Sequence, residues 1–521
     1  MRILALLMMT ALASTEWAVA QNLAAGASGV EELVQVRGIA RNSVSNMYAQ
    51  GDTLWVGPFL NMTPDGGTSW FISDADSLLD TENRLFSIDA EDDLIWVGLG
   101  FSFQEVSGGR TQLIPSAGGF LLSENRGTTF NYRFPPLDFP GDSLVQYGRS
   151  VLTALPIIVP QQSPPYDIDY DPVRGQVWTA GWASGVRVSN DRGQTWNRVV
   201  LPPDDLDYIH PDSSYDFRLE PRRGQTGHFN HMGFSVLVDE LGVVWAGTPA
   251  GINRSLDGGS SWQRFSHDGT PRSLTGSWVI SIEEQPAVGR NPIWIASWNA
   301  AEAGEQGSNG ITVTRDGGES FEQVLLGERI YDFAFRGDTI YAAGERGLFI
   351  SADEGRTWNT VRDFVDPSRP DLVLRPDVEA FSTAVTPGAV WVGTSEGLLR
   401  SLDGGESWRA FRVDVPLDPD VPSASVPRVD TYAYPNPFSP ASDRFVRLRY
   451  QADGQQAAEV RIFDFAMTLV RRLAGSQTSP GEREVVWDGR NEAGLRVPNG
   501  PYFYAIERGG DAVWGKILVL E

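Results

Sequence analysis

The sequence predicts an all-β protein in which a seven-bladed β-propeller is followed by a small β-sandwich. Three observations predict this fold class. A short turn motif occurs seven times, a Trp-centred apolar strand precedes most copies of it, and the composition changes after Phe411. The copies are unevenly spaced and each repeat holds four predicted strands, which favours propeller blades over a solenoid with its shorter and stricter period.

The turn motif consists of a hydroxyl residue, an acid or amide two places on, a glycine two places later and an aromatic residue three after that. Asp and Asn side chains close such turns by accepting backbone N–H groups, and glycine adopts the required positive φ. We therefore expect a structural role for the acid or amide of each copy: Asp65, Asn125, Asp191, Asp257, Asp316, Asp353 and Asp403. The motif resembles the Asp-box, or BNR repeat, of sialidases and sortilin-like receptors, over roughly residues 31–415.

A second repeated segment is an apolar strand that centres on Trp or Tyr and ends in a small residue. It occurs at residues 54–57, 95–98, 177–180, 244–247, 293–296, 340–343 and 390–393. Another apolar strand precedes it, so each unit contains an inner strand, the Trp strand, a strand leading into the turn motif and a strand that starts at the motif's aromatic residue. The sequence leaves open which strand closes the ring, and residues 32–36 are a candidate for an extra strand that joins the first blade to the last.

The lengths of the connections differ between the two faces of the predicted propeller. Turns between strands one and two, and between three and four, lie on one face and are short. The long connections all belong to the other set: residues 99–119, 131–165, 202–232, 298–310 and 361–376. Long connections in compact folds are more often functional than accidental, so we predict that the long-loop face binds the ligand.

The N-terminus has the pattern of a secretory signal peptide over residues 1–20. Arg2 supplies the positive region, an apolar segment follows, and Ala18 and Ala20 form a small-residue cleavage site before Gln21. No transmembrane segment is expected after cleavage. The formal net charge of −25 argues against nucleic acid or an anionic membrane as a partner, although solubility alone also explains it. These features predict a secreted or cell-surface protein.

The composition changes at residues 414–427, which are rich in Pro and Asp and predict an extended linker. A compact β domain follows, with the landmarks Tyr434-Pro-Asn-Pro-Phe438, Trp487-Asp-Gly489 and Gly515-Lys-Ile-Leu518. It resembles the FlgD-type Ig-like domain and is similar to the C-terminal sorting domains of type IX secretion cargo. The resemblance implies an exported bacterial protein whose C-terminal module contacts the export machinery or serves attachment or spacing. The predicted domains are thus a propeller at 21–413 and an Ig-like β-sandwich at 428–521.

Aromatic residues on the long-loop face are the predicted ligand-binding residues. Flat rings with polar neighbours stack well on sugars, which makes a glycan a candidate ligand. Packing within the loops is the alternative explanation for the same rings. The candidates are Trp182, Trp278, Trp298, Phe101, Tyr208 and Tyr215.

Catalysis would require two carboxylates that face each other across the central pocket. Asp167, Asp169 and Asp332 lie on predicted inner strands and are the nearest candidates, with an acid-rich surface as the alternative. A sialidase is not favoured, because no arginine trio with a Tyr and Glu pair can be assigned. His228 and His231 have a spacing that could present two imidazoles to a metal ion, but no third ligand is evident, and we predict neither a metal nor a cofactor.

Three functions remain open at this point. The first is a secreted or surface-displayed protein that binds an extracellular glycan or a surface protein through its long-loop face. The second is a glycoside hydrolase or lyase that acts on extracellular polysaccharide. The third is a scaffold for the assembly of other proteins.

Overall fold

The computed structural model describes residues 33–36, 38–73, 83–107, 110–287, 289–299, 307–369, 372, 374–375, 377–412, 429–452, 457–475, 481–508 and 511–520. The predicted signal peptide at 1–20 and linker at 414–427 lie outside these residues. The described residues are built from β-strands, with one short 3₁₀ helix at Phe229–His231 and no α-helix. The prediction of an all-β propeller with a C-terminal β-sandwich is confirmed.

Seven antiparallel sheets of four or five strands form the propeller blades. Blade 1 comprises β1 (Leu33–Val36), β2 (Met47–Gln50), β3 (Thr53–Val56), β4 (Asn61–Thr63) and β5 (Trp70–Ser73), and blade 2 comprises β6 (Arg84–Glu91), β7 (Leu94–Ser107), β8 (Arg110–Ser123) and β9 (Asn131–Arg133). A separate hairpin of β10 (Leu144–Tyr147) and β11 (Ser150–Thr153) precedes blade 3, which comprises β12 (Asp167–Asp171), β13 (Gln176–Gly181), β14 (Gly185–Ser189) and β15 (Asn197–Arg198). Blade 4 comprises β16 (Tyr208–Ile209), β17 (Ser235–Val238), β18 (Val244–Thr248), β19 (Gly251–Ser255) and β20 (Trp262–Phe265).

The last three blades have four strands each. They comprise β21 (Trp278–Glu284), β22 (Ile293–Trp298), β23 (Gly310–Thr314) and β24 (Glu322–Val324); β25 (Ile330–Arg336), β26 (Thr339–Gly344), β27 (Gly347–Ser351) and β28 (Asn359–Val361); and β29 (Ala380–Thr386), β30 (Ala389–Thr394), β31 (Gly397–Ser401) and β32 (Arg409–Phe411). The inner strand of each blade contacts the inner strand of the next, and β29 contacts β2. The ring of blades is therefore closed.

The two repeated sequence motifs meet between neighbouring blades. The Trp of one blade's second strand packs against the glycine of the next blade's turn motif, so that a Cβ added at Gly259 would lie 2.7 Å from Trp178 Cη2. The same contact joins the last blade to the first, where Gly67 faces Trp391 at 3.2 Å. In blade 7, Ile350 takes the place of the Trp beneath Gly405. The motifs thus serve as the contact between consecutive blades.

The turn motif itself is held by a repeated set of hydrogen bonds, here called the box turn. In blade 4, Ser255 Oγ donates to Asp257 Oδ1 at 2.8 Å and accepts the N–H of Gly259 at 2.8 Å. Asp257 Oδ1 also accepts the N–H groups of Ser260 and Ser261 at 3.1 and 2.8 Å. The box acids lie in the turns between third and fourth strands, on the face opposite the long loops.

Two expectations about the propeller are wrong in detail. Strand β1 pairs with β5 at the outer edge of blade 1, so it does not join the first blade to the last. The ring is closed instead by packing, since residues of blades 1 and 7 share one apolar cluster and the N–H of Val44 donates to the carbonyl of Thr394 at 2.9 Å. Residues 99–119 are not a loop, because β7 and β8 continue as a paired hairpin.

The C-terminal domain is a sandwich of two antiparallel sheets. Its strands are β33 (Thr431–Tyr434), β34 (Val446–Ala452), β35 (Glu459–Phe463), β36 (Leu469–Ala474), β37 (Gly481–Trp487), β38 (Gly500–Arg508) and β39 (Asp511–Val519). The sheets have the orders β33-β34-β37 and β36-β35-β38-β39. Alternate side chains of both sheets, among them Tyr450, Trp487 and Tyr504, bury a common apolar core. Nowhere among the described residues does a helix have the length and apolar character needed to cross a membrane.

Candidate functional site

An aromatic ring stands at the same position near the start of the inner strand in five of the seven blades. The second strand of each blade ends in a small residue, and the aromatic ring comes directly before the inner-strand residue that pairs with it. Phe86, for example, precedes Ser87, which pairs with Gly98, and Tyr331 precedes Asp332, which pairs with Ala343. The five rings are Phe86, Tyr166, Phe234, Tyr331 and Phe381. The start of an inner strand faces the long loops, so these rings surround the mouth of the central channel on the long-loop face.

Three tryptophans extend this set of rings. Trp182 lies 5.1 Å from Phe234 and 5.8 Å from Trp278 between ring centroids, and Trp298 meets Tyr331 edge-on at 5.6 Å. All eight rings are half-buried, which leaves part of each ring accessible. We call the five inner-strand rings together with Trp182, Trp278 and Trp298 the aromatic collar. The structure thus brings together the three tryptophans that the sequence had marked as binding candidates.

Neighbouring rings of the collar form two arcs. Phe86 and Tyr166 are 6.1 Å apart, Tyr166 and Phe234 are 6.1 Å apart, and Tyr331 and Phe381 are 6.1 Å apart. Blade 1 carries the polar residue Ser45 at the equivalent position. The next residue, Asn46, donates a hydrogen bond from Nδ2 to the carbonyl of Phe86 at 2.7 Å.

Charged groups adjoin the aromatic rings on the side of blade 6. The Arg329 guanidinium lies 4.8 Å from the centroid of Trp298. Burial, followed by the negative charges of Glu379 and Glu345, raises the pKa of Tyr331 to about 12. The collar therefore combines apolar ring faces with groups that can donate or accept hydrogen bonds.

Five carboxyl groups line the channel beneath the collar. They are Asp89, Asp167, Asp169, Glu283 and Asp332, and each lies on an inner strand. Glu283 in blade 5 interacts electrostatically with all four of the others, including Asp89 in blade 2. The sequence predicted Asp167, Asp169 and Asp332 as separate candidates on inner strands, and the structure brings them to one channel.

Four of these carboxylates bridge consecutive inner strands. Asp167 Oδ2 accepts the N–H of Val236 in the next blade at 2.9 Å, and Asp332 Oδ2 accepts that of Thr383 at 2.9 Å. Asp89 and Asp169 accept backbone N–H groups of the following blade in the same way. An inner strand has no neighbouring strand on its channel side, and these acids satisfy some of the donors left there. A structural role thus explains much of this acidic set.

The channel environment favours the protonated form of these acids. Burial raises the pKa of Asp167 and of Asp332 to about 7, and that of Asp89 to about 6. Burial, together with the charge of Asp332, raises the pKa of Glu283 well above its ordinary value. Burial is the largest cause in each case, and the charges of neighbouring channel acids further oppose ionisation of Asp167, Asp169 and Glu283.

Glu283 differs from the other channel acids because no described residue donates a hydrogen bond to its carboxyl group. Glu283 was not among the candidates predicted from the sequence. Its register carries the signal that would have found it, since Glu283 pairs with Trp294 as Asp89 pairs with Trp96 and Asp169 with Trp178.

The remaining aromatic candidates lie away from the collar. Phe101 is on the extended β7–β8 hairpin, where it pairs across with Ser116. Tyr208 is in β16 at the outer edge of blade 4 and is 54% exposed. Tyr215 packs into the core beneath a connection, and its hydroxyl accepts the N–H of His210 at 2.9 Å. Tyr215 therefore packs within its connection, as the alternative explanation for the candidate rings predicted.

The two candidate metal-binding histidines have structural partners. His231 accepts the N–H of Glu220 at Nδ1 and meets the carbonyl of Leu201 at Nε2, both at 3.2 Å, so neither ring nitrogen is available. Burial lowers the pKa of His231 to about 3 and keeps it neutral. His228 accepts the N–H of Asp204 at Nδ1 at 3.2 Å. Across the described ranges, no group of three or more His, Asp or Glu side chains is arranged to hold a metal ion.

Comparison with known proteins gives a family match for part of the C-terminal domain. The sequence model of the family described as the FlgD Ig-like domain matches residues 445–511. No protein of curated function matches the chain.

Similar solved structures include PorZ, described as an essential bacterial surface component of the type-IX secretion system of Porphyromonas gingivalis. The identity to PorZ is 14% and the TM-score is 0.36, and the match covers 92% of this chain and 75% of that chain. YCF48 from Cyanidioschyzon merolae has 14% identity and a TM-score of 0.36, with 63% and 85% covered. An ancestral GH74 enzyme has 15% identity and a TM-score of 0.48, with 94% and 64% covered. By its strand order and its family match, the chain combines a β-propeller with a C-terminal FlgD Ig-like domain.

Proposed function

We propose that this chain is an exported bacterial binding protein and that its site for an extracellular glycan is the aromatic collar at the channel mouth. The aromatic collar is the observation that carries this proposal. It joins residues from six blades into one accessible apolar surface, with polar groups beside it.

The chemistry of a sugar matches that of the collar. The C–H face of a pyranose stacks on an aromatic ring, while its hydroxyl groups need donors and acceptors at the ring edge. Trp182, Trp278 and Trp298 offer partly accessible ring faces. Arg329 and Glu379 stand close enough to the rings of Trp298 and Tyr331 to bind hydroxyl groups.

Export is supported by features at both ends of the chain. Residues 1–20 have the pattern of a signal peptide. The C-terminal domain resembles the sorting domains of type IX secretion cargo, and we propose that it contacts the export or attachment machinery. The seven box turns support membership of the propeller in the Asp-box group.

Binding to a glycan array, followed by calorimetric titration of each hit, tests the proposal. Trp278→Ala and Tyr331→Ala should each weaken binding by about tenfold, which corresponds to about 1.4 kcal/mol. Tyr208→Ala is the matched control, because Tyr208 is an exposed aromatic residue on the same propeller but outside the collar. Equal losses in the collar variants and the control, or no binding to any glycan, would contradict the proposal.

A second candidate function is glycoside hydrolysis within the channel. One observation favours it: Glu283 has a raised pKa and no described donor, beside further carboxyl groups. A general acid and a second carboxylate are the groups such a reaction needs. If this function is correct, Glu283→Gln abolishes release of reducing ends while sugar binding persists. Sugar binding without any release of reducing ends by the unmodified protein would exclude it for the sugars tested.

A further inference from the structure

We infer that the C-terminal domain is latched to blade 7 by a buried set of ion pairs, rather than swinging freely on its linker. Three residues of the propeller and two of the C-terminal domain form this latch: Arg375, Glu396 and Arg412 from the propeller, and Arg447 and Glu484 from the sandwich. The inference is independent of the proposed ligand.

The two domains exchange charged partners in both directions. Arg447 Nη2 of the sandwich lies 2.7 Å from Glu396 Oε2 of the propeller. In the opposite direction, Arg412 Nη1 of the propeller lies 3.5 Å from Glu484 Oε2 of the sandwich. Arg447 Nε is also 3.6 Å from Glu484 Oε2, which joins the two pairs into one network.

The burial of this network separates it from ordinary surface ion pairs. The side chains of Arg447 and Glu396 are only 5% and 10% exposed, and that of Arg412 is 7% exposed. Exposed pairs contribute little, but a charge left unpaired in a buried position is strongly unfavourable. If one partner of a pair is removed, the other charge is left unpaired in the docked state but is hydrated in the undocked state. Loss of one partner should therefore shift the equilibrium towards the undocked arrangement.

Neighbouring contacts hold the central pair in place. The N–H of Arg375 donates to Glu396 Oε2 at 3.0 Å, and Arg375 Nε lies 3.6 Å from Glu396 Oε1. At the rim, Arg444 of the sandwich lies 2.8 Å from Asp377 of the propeller. Glu396 sits in the turn between β30 and β31, so the sandwich occupies the blade 7 sector of the long-loop face.

The test uses the full chain with a protease site inserted into residues 414–427. After cleavage, the two parts of the wild-type protein should co-elute in size-exclusion chromatography. Glu396→Gln and Arg447→Gln, one in each domain, should each separate the parts, with apparent affinity at least tenfold lower. Arg346→Gln is the control, because Arg346 holds the same turn position in blade 6 and pairs with Glu328.

Circular dichroism of the uncleaved variants shows whether both domains are still folded, and a variant that unfolds is replaced by the other. Separation of the wild-type parts after cleavage would overturn the inference. Co-elution of both folded variants with wild-type affinity would overturn it as well, since the ion pairs would then be dispensable.

Discussion

Acidic side chains serve two different purposes in this propeller, at the box turns and in the channel. The box acids lie on the surface and accept hydrogen bonds from their own turn, whereas the channel acids are enclosed and four of the five accept them from the next blade. Hydrogen bonds from Thr357 lower the pKa of the box acid Asp353 to about 2. Burial raises the pKa of the channel acid Asp167 to about 7.

The comparison shows that position, rather than residue type, sets the chemistry of a carboxyl group in this fold. A box acid is preorganised as an anion by donors close in sequence, so it is fixed in one structural role. A channel acid shares its surroundings with other acids and is poised to gain or lose a proton near neutral pH. Only the second set offers reactivity that a ligand or substrate could use.

The largest expected effect on stability comes from replacing the box glycine, because an added side chain would clash with the neighbouring blade. Gly259→Ala places a methyl group 2.7 Å from Trp178 at a φ of +89°, and should destabilise the protein by about 3 kcal/mol or more in urea unfolding. Gly269→Ala is the control. Gly269 has a φ of +82° with nothing within 4 Å of the added carbon, so only backbone strain of about 1 kcal/mol is expected. Equal losses would show that the Trp contact adds nothing.

A smaller loss is expected from a box acid. Asp257→Ala removes the acceptor of two backbone N–H groups and should cost about 1–2 kcal/mol of unfolding free energy. Ligand affinity should stay unchanged, because the box turn lies on the face away from the collar. A collapse of affinity with an unchanged melting temperature would assign the box turns a role in binding.

The pH dependence of stability separates the two sets of acids. The pKa of Asp167 is raised on folding, so its contribution to stability is complete below about pH 4 and is lost as the pH rises through about 7. Asp167→Asn keeps the acceptor for Val236 but cannot ionise. Between pH 5 and pH 8 its free energy of unfolding should therefore fall less than that of the wild type, by about 2–3 kcal/mol.

Asp257→Asn is the matched control for this experiment. Burial opposes ionisation of Asp257, but hydrogen bonds from Ser261 and its neighbours prevail and lower its pKa. Its contribution is present above the unfolded pKa and is lost only as the pH falls below it. This variant should keep the wild-type slope between pH 5 and pH 8, and a flattened slope would mean that the two sets do not differ.

The sequence was sufficient for the features that repeat. Local turn chemistry determines the box turns, and alternation of apolar residues determines the strands, so motifs and blade order could be predicted. The contact of Gly259 with Trp178 could not, because it joins motifs of different blades. The strand pairing of residues 99–119 was also missed, because the glycines and the proline in this segment interrupt its apolar residues and are typical of a loop.

The candidate site shows the same division. The three collar tryptophans and the channel acids Asp167, Asp169 and Asp332 were predicted as separate candidates, but their convergence depends on closure of the ring. Glu283 was not predicted, because it lies near the end of its inner strand, beyond the apolar residues Val279 and Ile282. The position of Tyr208 was not predictable either, since a long connection folds back as an outer strand and carries this ring away from the mouth.

The smallest expected effect would sharpen the boundary of the site. Phe101 lies on the β7–β8 hairpin, on the long-loop face but outside the collar, so Phe101→Ala should change glycan affinity by less than about twofold, near 0.4 kcal/mol. Trp182→Ala, in the collar, should weaken it about tenfold in the same titration. A loss at Phe101 equal to that at Trp182 would extend the binding surface along the hairpin. The long-loop face as a whole, and not the channel mouth alone, would then recognise the ligand.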